Sequence, residues 1–277
     1  MIHRYETPCM DLQQIHQSGQ CFRMVPLPEH TYPSGAKNGY RLISGLRVLR
    51  AWQDGPFVCL DCPHEDLSFW LSYLDMDRDY QAVIASIDRE NTYLRAAAMS
   101  GTGIRILRQD PWEMIITFIL SQQNNIPRIK GLIRTLCERY GERCVTPDGR
   151  TYDTFPRAED LAQATEEELR ELKLGYRSKY ICGTARMVAE GDFDLGKLKG
   201  MAYEDARAEL VRLPGIGGKV ADCICLFALH QMDAFPVDTH IKKALELHYP
   251  EGFPFTRYQR CAGVMQQYIF YYDLRYR

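Results

Sequence analysis

Two spacings of apolar residues divide the chain. Between about residues 11 and 62, apolar and polar positions follow a short strand-like pattern, most clearly at 41–52 and 57–60, with glycine and proline turns between the runs. Alternation of this kind turns one face of a strand towards a core, so these runs predict a small antiparallel sheet. Residues 28–39 carry no such period and read as an irregular loop. Beyond Pro63 the spacing becomes that of a helix face, in Leu67, Phe69, Trp70, Leu71, Tyr73 and Leu74 and again in Tyr80, Val83, Ile84 and Ile87. Pro111 opens a further helix with a stripe of Met114, Ile115, Phe118 and Ile119; Pro127 opens or kinks the next, which runs through Leu132, Ile133 and Leu136. Short helices are predicted over 166–172, 178–190 and 203–213, the first from the cap candidate Thr165. The fold class is therefore α+β: a small N-terminal antiparallel β domain with trailing helices over 1–100, then a mostly α-helical domain over 101–277.

Composition narrows the setting more than the fold. A chain of 277 residues, 45% hydrophobic and 25% charged, is in the ordinary globular range and long enough for a sizeable core. No apolar run approaches the ~18 residues of a membrane span. The polar start Met1-Ile2-His3-Arg4 lacks the apolar stretch of a signal peptide, so an intracellular protein without a membrane partner is expected. Ten cysteines are scattered through a chain too large to need stapling and read as reduced thiols. Cys59-Leu60-Asp61-Cys62 lacks the second pair that a zinc knuckle needs, and after Cys225 only Cys261 remains, which leaves no cluster for an iron-sulfur centre. A net charge of −2 argues against wrapping nucleic acid with the whole surface, but backbone N–H groups at hairpins and helix N-termini can hold phosphate without changing that count.

The candidate chemistry starts at Leu213-Pro214-Gly215-Ile216-Gly217-Gly218-Lys219. A helix over 207–213 ends where Pro214 and the glycines begin, and a second over 219–230 starts at once, which makes a helix-hairpin-helix. Gly215, Gly217 and Gly218 leave no side chains to obstruct a phosphate, so the turn and the following helix N-terminus can offer N–H donors to a DNA backbone. Val220, Cys223, Ile224, Phe227 and Ala228 share one face and are expected in the core. Lys219 falls on the first turn, where the helix dipole and a desolvating, helix-lined cleft disfavour the ammonium form and favour a nucleophilic amine; a phosphate contact or a solvated lysine is the plain alternative. Asp238 follows 19 residues later, behind Pro236, at the start of a helix-like run. It is read as an N-cap, and a capped, immobilised carboxylate also suits stabilisation of positive charge on a sugar.

These segments resemble the 8-oxoguanine DNA glycosylase/AP lyase family of the helix-hairpin-helix, Gly/Pro-Asp superfamily. The likeness is carried by 213–226, by Pro236-Val237-Asp238-Thr239-His240, and by Ser18-Gly19-Gln20-Cys21-Phe22-Arg23, Leu107-Arg108-Gln109-Asp110-Pro111, Leu174-Gly175-Tyr176-Arg177 and Phe270-Tyr271-Tyr272-Asp273-Leu274-Arg275. It implies a helical glycosylase domain after the β domain, and a monomer acting on double-stranded DNA that contains 8-oxoguanine opposite cytosine. By the same resemblance, Lys219 displaces the base at C1′ through a Schiff base and can nick the strand by β-elimination, and Asp238 assists base departure. The flipped base lies between Cys223 and Phe270, with the Gly19 carbonyl accepting its N7–H and Gln266 pairing with its Watson–Crick edge. The resemblance also implies DNA contacts from Gly215, Gly217 and His240, a gap-filling loop with Gln123 and Asn124, Arg128 as reader of the opposite base, and Tyr176 as a second wedge. No cofactor is required, although relatives hold a structural monovalent or divalent cation on hairpin carbonyls. The chain departs from the family at Gln122-Gln123, where Ser-Asn is usual, and at Met24, where tryptophan is frequent. On pattern alone Cys223, Phe270 and Tyr176 fit a core, Gly19 a turn, and Gln266, Arg128 and His240 the surface. The competing functions are a glycosylase for oxidised pyrimidines or mispaired adenine, which the missing cysteine cluster disfavours, and a non-catalytic DNA-binding module.

Overall fold

The computed structural model describes residues 1–146 and 149–276. Its contacts gather into two compact units that interleave along the chain. One comprises Met1–Leu42, Val48–Arg108 and His230–Arg277, the other Ile43–Arg47 and Gln109–Leu229. A cut at residue 100 thus differs from the observed division in its lower bound and in the assignment of the last 48 residues, which close the first unit.

The first unit is built on an antiparallel sheet of β1 (Ile2–Glu6), β2 (Met24–Pro26), β3 (Lys37–Ser44), β4 (Arg47–Asp54) and β5 (Phe57–Asp61), in the order β1-β5-β4-β3-β2. Register follows the alternation, Ala51 opposing Leu60 and Gln53 opposing Val58. Leu42, Leu49, Ala51, Val58 and Leu60 enter a core completed by Leu12, Ile15, Trp70, Leu74 and Leu107. The strand-like reading of 11–62 misses a helix at Leu12–Gln17: it is six residues long, Asp11 caps it by accepting from the Gln14 N–H at 2.9 Å, and only Leu12 and Ile15 bury themselves. Two turns are too few for a period to emerge. Helices Leu67–Tyr73 and Tyr80–Ala85 follow as the spacing predicts, and a third, Thr92–Ser100, comes after them. Thr239–His248 and Ala262–Tyr276 complete the unit.

A buried carboxylate ties this unit together. Asp75 has no exposed side-chain area and meets Arg108 at 2.7 Å, the Tyr80 hydroxyl at 2.8 Å, His230 at 3.1 Å and Arg78 at 3.3 Å. Burial alone would raise its pKa, but His230, Arg108 and Tyr80 together outweigh it and hold the carboxyl well below the usual range. Through His230 the cluster grips the chain where it re-enters the unit, eight residues before Asp238.

The second unit surrounds the helix Pro111–Ser121, in which nine residues from Trp112 to Leu120 are buried. Asp110 caps it, and the Trp112 indole donates to the Pro156 carbonyl at 2.8 Å. Ile126–Tyr140 lays Ile129, Leu132, Ile133 and Leu136 inward at the expected spacing. A two-stranded hairpin of β6 (Arg143–Val145) and β7 (Thr151–Asp153) interrupts a stretch read as mostly helical; with three residues per strand, it is stabilised locally by the Thr154 hydroxyl accepting from the Glu142 N–H. Helices Ala158–Ala162, Glu166–Glu171 and Arg177–Ala189 lead to the pair Tyr203–Leu210 and Gly218–Phe227. Among the described residues, no helix is long and apolar enough to cross a membrane.

Candidate active site

The second unit carries the hairpin. Residues 211–217 join the two helices, and Ile216 is tucked in at 5% exposure with its N–H on the Leu213 carbonyl at 3.1 Å. Gly215 has φ +80°, and a Cβ there would stand 2.5 Å from the Tyr180 ring, so both backbone and space demand glycine. A Cβ on Gly217 would meet nothing, which leaves that position open to an approaching phosphate. Gly218 is filled from beneath by Arg207, whose guanidinium donates to Asp222 at 2.7 Å.

Lys219 lies in the first turn of Gly218–Phe227, as expected. Its side chain is exposed rather than sunk in a desolvating cleft, and Nζ is 6.0 Å from the centre of the Phe118 ring. The helix itself is more buried than one face requires: Ala221, Cys225 and Leu226 are covered as well as Val220, Cys223, Ile224 and Phe227, while Ala228 is only half-buried beyond the helix end. It stops at Phe227 rather than 230 because His230 takes a left-handed φ of +56° and Leu229 donates back to Ile224. Burial pushes the Cys225 thiol up to about 12, so it stays neutral within the helix's buried face.

The loop after Pro111–Ser121 holds the other candidates of this unit. Gln123 is exposed with φ +52°, and Arg128 is exposed in the first turn of the next helix. Asn124 is turned inward, its amide donating to the Leu120 carbonyl at 2.7 Å, which makes it a cap for the preceding helix. Tyr176 is 43% exposed, a surface ring and not a core tyrosine. Gln122 and Arg177, to which sequence reasoning gave no role, cross-link this loop: Gln122 Nε2 donates to the Gly215 carbonyl at 2.9 Å, and Arg177 Nε donates to the Gln122 carbonyl at 2.9 Å. The Gln122-Gln123 departure was the sequence signal for the first of them.

The first unit holds the remaining candidates. Asp238 caps Thr239–His248, its Oδ1 accepting from the Ile241 N–H at 2.8 Å, and among the described residues no donor reaches its Oδ2. Two residues earlier the Pro236 carbonyl accepts from Gln266 Nε2 at 3.0 Å, and Gln267 donates to Gln266 Oε1 at 3.1 Å. Gln266 is thus a buried amide, 4% exposed, and not a surface one. Phe270, one turn further along Ala262–Tyr276, is half-buried and meets the His240 ring edge-on at 6.2 Å. His240 is half-exposed, 3.7 Å from Asp273. Gly19 has φ +74° after the first short helix, and its flanks are pinned: the Ser18 hydroxyl donates to the Ile15 carbonyl, and buried Gln20 bridges Arg105 and Leu107.

Among the described residues, no group of three or more His, Cys, Asp or Glu side chains is placed to hold a metal ion. The hairpin carbonyls of Leu213, Pro214 and Gly215 already accept from Ile216, Thr184 and Gln122 respectively.

A glycine-rich turn leading into a helix whose first turn bears lysine, accompanied by a capping aspartate behind a proline, defines a helix-hairpin-helix DNA repair protein. Residues 116–251 match the model of the HhH-GPD superfamily base excision DNA repair protein, and residues 2–115 match the 8-oxoguanine DNA glycosylase N-terminal domain. The chain is 34% identical over 260 residues to the N-glycosylase/DNA lyase of Saccharomyces cerevisiae, covering 86% of this chain and 68% of that protein. It is 30% identical over 300 residues to the probable N-glycosylase/DNA lyase of Methanothermobacter thermautotrophicus, covering 94% and 92% of the two chains. The fold matches the Clostridium acetobutylicum 8-oxoguanine glycosylase/lyase, solved with double-stranded DNA containing cytosine opposite 8-oxoG, with a TM-score of 0.87 and 31% identity over 98% of this chain and 97% of that one. The chain belongs to the 8-oxoguanine DNA glycosylase family of the HhH-GPD superfamily.

Proposed function

We propose that this protein excises 8-oxoguanine opposite cytosine from duplex DNA, with Lys219 as nucleophile and Asp238 as the stabiliser of charge on the sugar. The observation that carries the reading is the position of Lys219: an exposed amine on the first helical turn after a hairpin whose glycines leave its backbone accessible. Phosphate held on the hairpin N–H groups and by His240 would fix the strand, and the target nucleotide must leave the stack for its C1′ to be reached.

Once its ammonium has given up a proton, Lys219 attacks C1′ while the N9–C1′ bond breaks, its electron pair leaving with the base, which takes up the proton that the attacking nitrogen then loses. Positive charge that builds on the sugar is met by Asp238, whose cap leaves one carboxylate oxygen uncommitted. Opening of the sugar gives a Schiff base to Lys219; loss of a C2′ proton then expels the 3′ phosphate and nicks the strand, and hydrolysis frees the lysine. Cys223, Phe270, Gly19 and Gln266 form the base site in this reading, Gln123, Asn124, Arg128 and Tyr176 the DNA contacts around the gap, with Gly215 and Gly217 on the phosphate. No step passes through a cofactor.

Borohydride trapping on duplexes carrying 8-oxoguanine, an oxidised pyrimidine, 3-methyladenine or mispaired adenine tests nucleophile and substrate together. A covalent adduct confined to 8-oxoguanine and absent in Lys219→Gln is expected, with DNA binding retained by the variant. Trapping that survives the substitution refutes Lys219; a preference for another base refutes the substrate.

A further inference from the structure

We propose that Gln122 is a positioning residue, which together with Arg177 ties the loop bearing Gln123 to the phosphate-binding hairpin, so that the wedge that replaces a flipped base is set in register with the DNA grip. The proposal rests on the glycosylase reading above and adds a role at two residues that it does not use.

Gln123 is the unusual feature. It is exposed and not glycine, yet its φ is +52°, a conformation that L side chains rarely adopt. Hydrogen bonds hold the loop on both sides of it. After Gln123, the Asn124 N–H returns to the Ser121 carbonyl at 3.2 Å and its amide to the Leu120 carbonyl. Before it, Gln122 is held through both its side chain and its backbone: Nε2 on the Gly215 carbonyl, and its own carbonyl forked by Nε and Nη2 of Arg177.

Arg177 is only 5% exposed, and its third bond, from Nη1, goes to the Leu174 carbonyl at 3.2 Å. A buried guanidinium committed to two carbonyls is costly to place and strongly determines the geometry of what it holds. The Tyr176 ring lies over it at 4.5 Å, Tyr176 meets Tyr180 edge-on at 6.0 Å, and Tyr180 packs on Gly215. Gly215, Gln122, Arg177, Tyr176 and Tyr180 therefore close a ring of contacts from which Gln123 and the exposed part of Tyr176 project. The ring is closed by the reach of a glutamine: the serine usual in the family at position 122, or an alanine, is too short to hold the Gly215 carbonyl as Nε2 does.

The test uses Gln122→Ala and the near-isosteric Gln122→Met, both at a half-buried position outside the core. Single-turnover excision is measured on 8-oxoguanine paired with cytosine and on 8-oxoguanine opposite an abasic site, where the lesion starts unpaired and extrusion needs less help from a wedge. On the paired duplex both variants should lose roughly tenfold or more, while opposite the abasic site the loss should shrink to about threefold or less, as expected of a residue acting on base extrusion and not on chemistry. Both variants lose the Gly215 contact, so a fall of about 2–4 °C in thermal midpoint is expected, with affinity for undamaged DNA within about threefold of the wild type. Equal losses on the two substrates, or wild-type rates on both, overturn the proposal and leave the glycosylase reading intact. A wild-type protein that excises 8-oxoguanine from neither substrate overturns that reading and the proposal with it.

Discussion

Replacing Asp238 separates the two jobs assigned to one carboxylate. In Asp238→Asn the side-chain oxygen can still accept from the Ile241 N–H, and asparagine caps helices about as well as aspartate, so the folding cost is only the lost attraction to the helix dipole, about 0.3–1 kcal/mol. Asp238→Ala loses the cap as well, which brings the cost to roughly 1–2 kcal/mol. Both variants remove the negative charge. At a separation of ~4 Å and an effective dielectric of ~20, that charge attracts a sugar cation by about 4 kcal/mol. Asp238 is half-buried with one oxygen unengaged, so solvent screening reduces this to about 2–3 kcal/mol, or roughly a 30- to 150-fold slower base release. Urea titration and single-turnover excision, run on both variants, read the two quantities separately. The expected pattern is a large and similar loss of excision in both, with a clear loss of stability in Ala alone. If Asn excises at the wild-type rate, the charge does not act on the sugar; if Asn is as unstable as Ala, the loss of activity reports folding and the argument fails.

The hairpin and the buried carboxylate give two further expectations. Gly215→Ala sets a side chain in the left-handed region, at about 1–2 kcal/mol, and drives its Cβ to within 2.5 Å of Tyr180, so both folding stability and DNA affinity should fall; unchanged values for both would remove the steric account. Asp75→Asn removes the buried charge faced by half-buried Arg78 and Arg108 and by His230, and should cost about 1.5–3 kcal/mol in chemical denaturation at neutral pH. Because the folded-state pKa of Asp75 lies below its unfolded value of ~3.9, its stabilisation is complete above that value and lost as pH falls towards the folded pKa. The stability gap between wild type and Asp75→Asn should therefore be flat from neutral pH to about 4 and narrow below it; a gap that narrows already between pH 7 and 5 would contradict the assignment.

Local chemistry was legible in the sequence wherever a residue type leaves few choices. The glycines of the hairpin, Asp238 as a cap and the apolar stripes of Pro111–Ser121 and Ile126–Tyr140 all follow from steric and periodic rules that need no tertiary information. The short helix Leu12–Gln17 and the β6–β7 hairpin escaped because each is shorter than the window in which a period declares itself. Burial of Gln266 escaped for another reason: an amide reads as polar surface until the Pro236 carbonyl, thirty residues away, is known to receive it. The same holds for Asp75, whose partners lie up to 155 residues distant in sequence, and for Gln122, whose acceptor is 93 residues on. Such pairings are properties of the folded chain; the Gln122-Gln123 departure marked a position, but the partner it reaches is known only from the fold.

The interleaved units impose an order on synthesis. A ribosome releases residues 1–108 and then the whole of Gln109–Leu229 before it makes His230–Arg277, without which the first unit lacks Thr239–His248 and Ala262–Tyr276. The nascent chain thus possesses its hairpin and Lys219 while Asp238, Gln266 and Phe270 do not yet exist. A chain arrested near residue 230 would keep the hairpin, the Gln123 loop and Lys219 but lack His240 of the proposed DNA grip together with Asp238, Gln266 and Phe270. On the proposed roles, excision then becomes possible only once the closing helices are made.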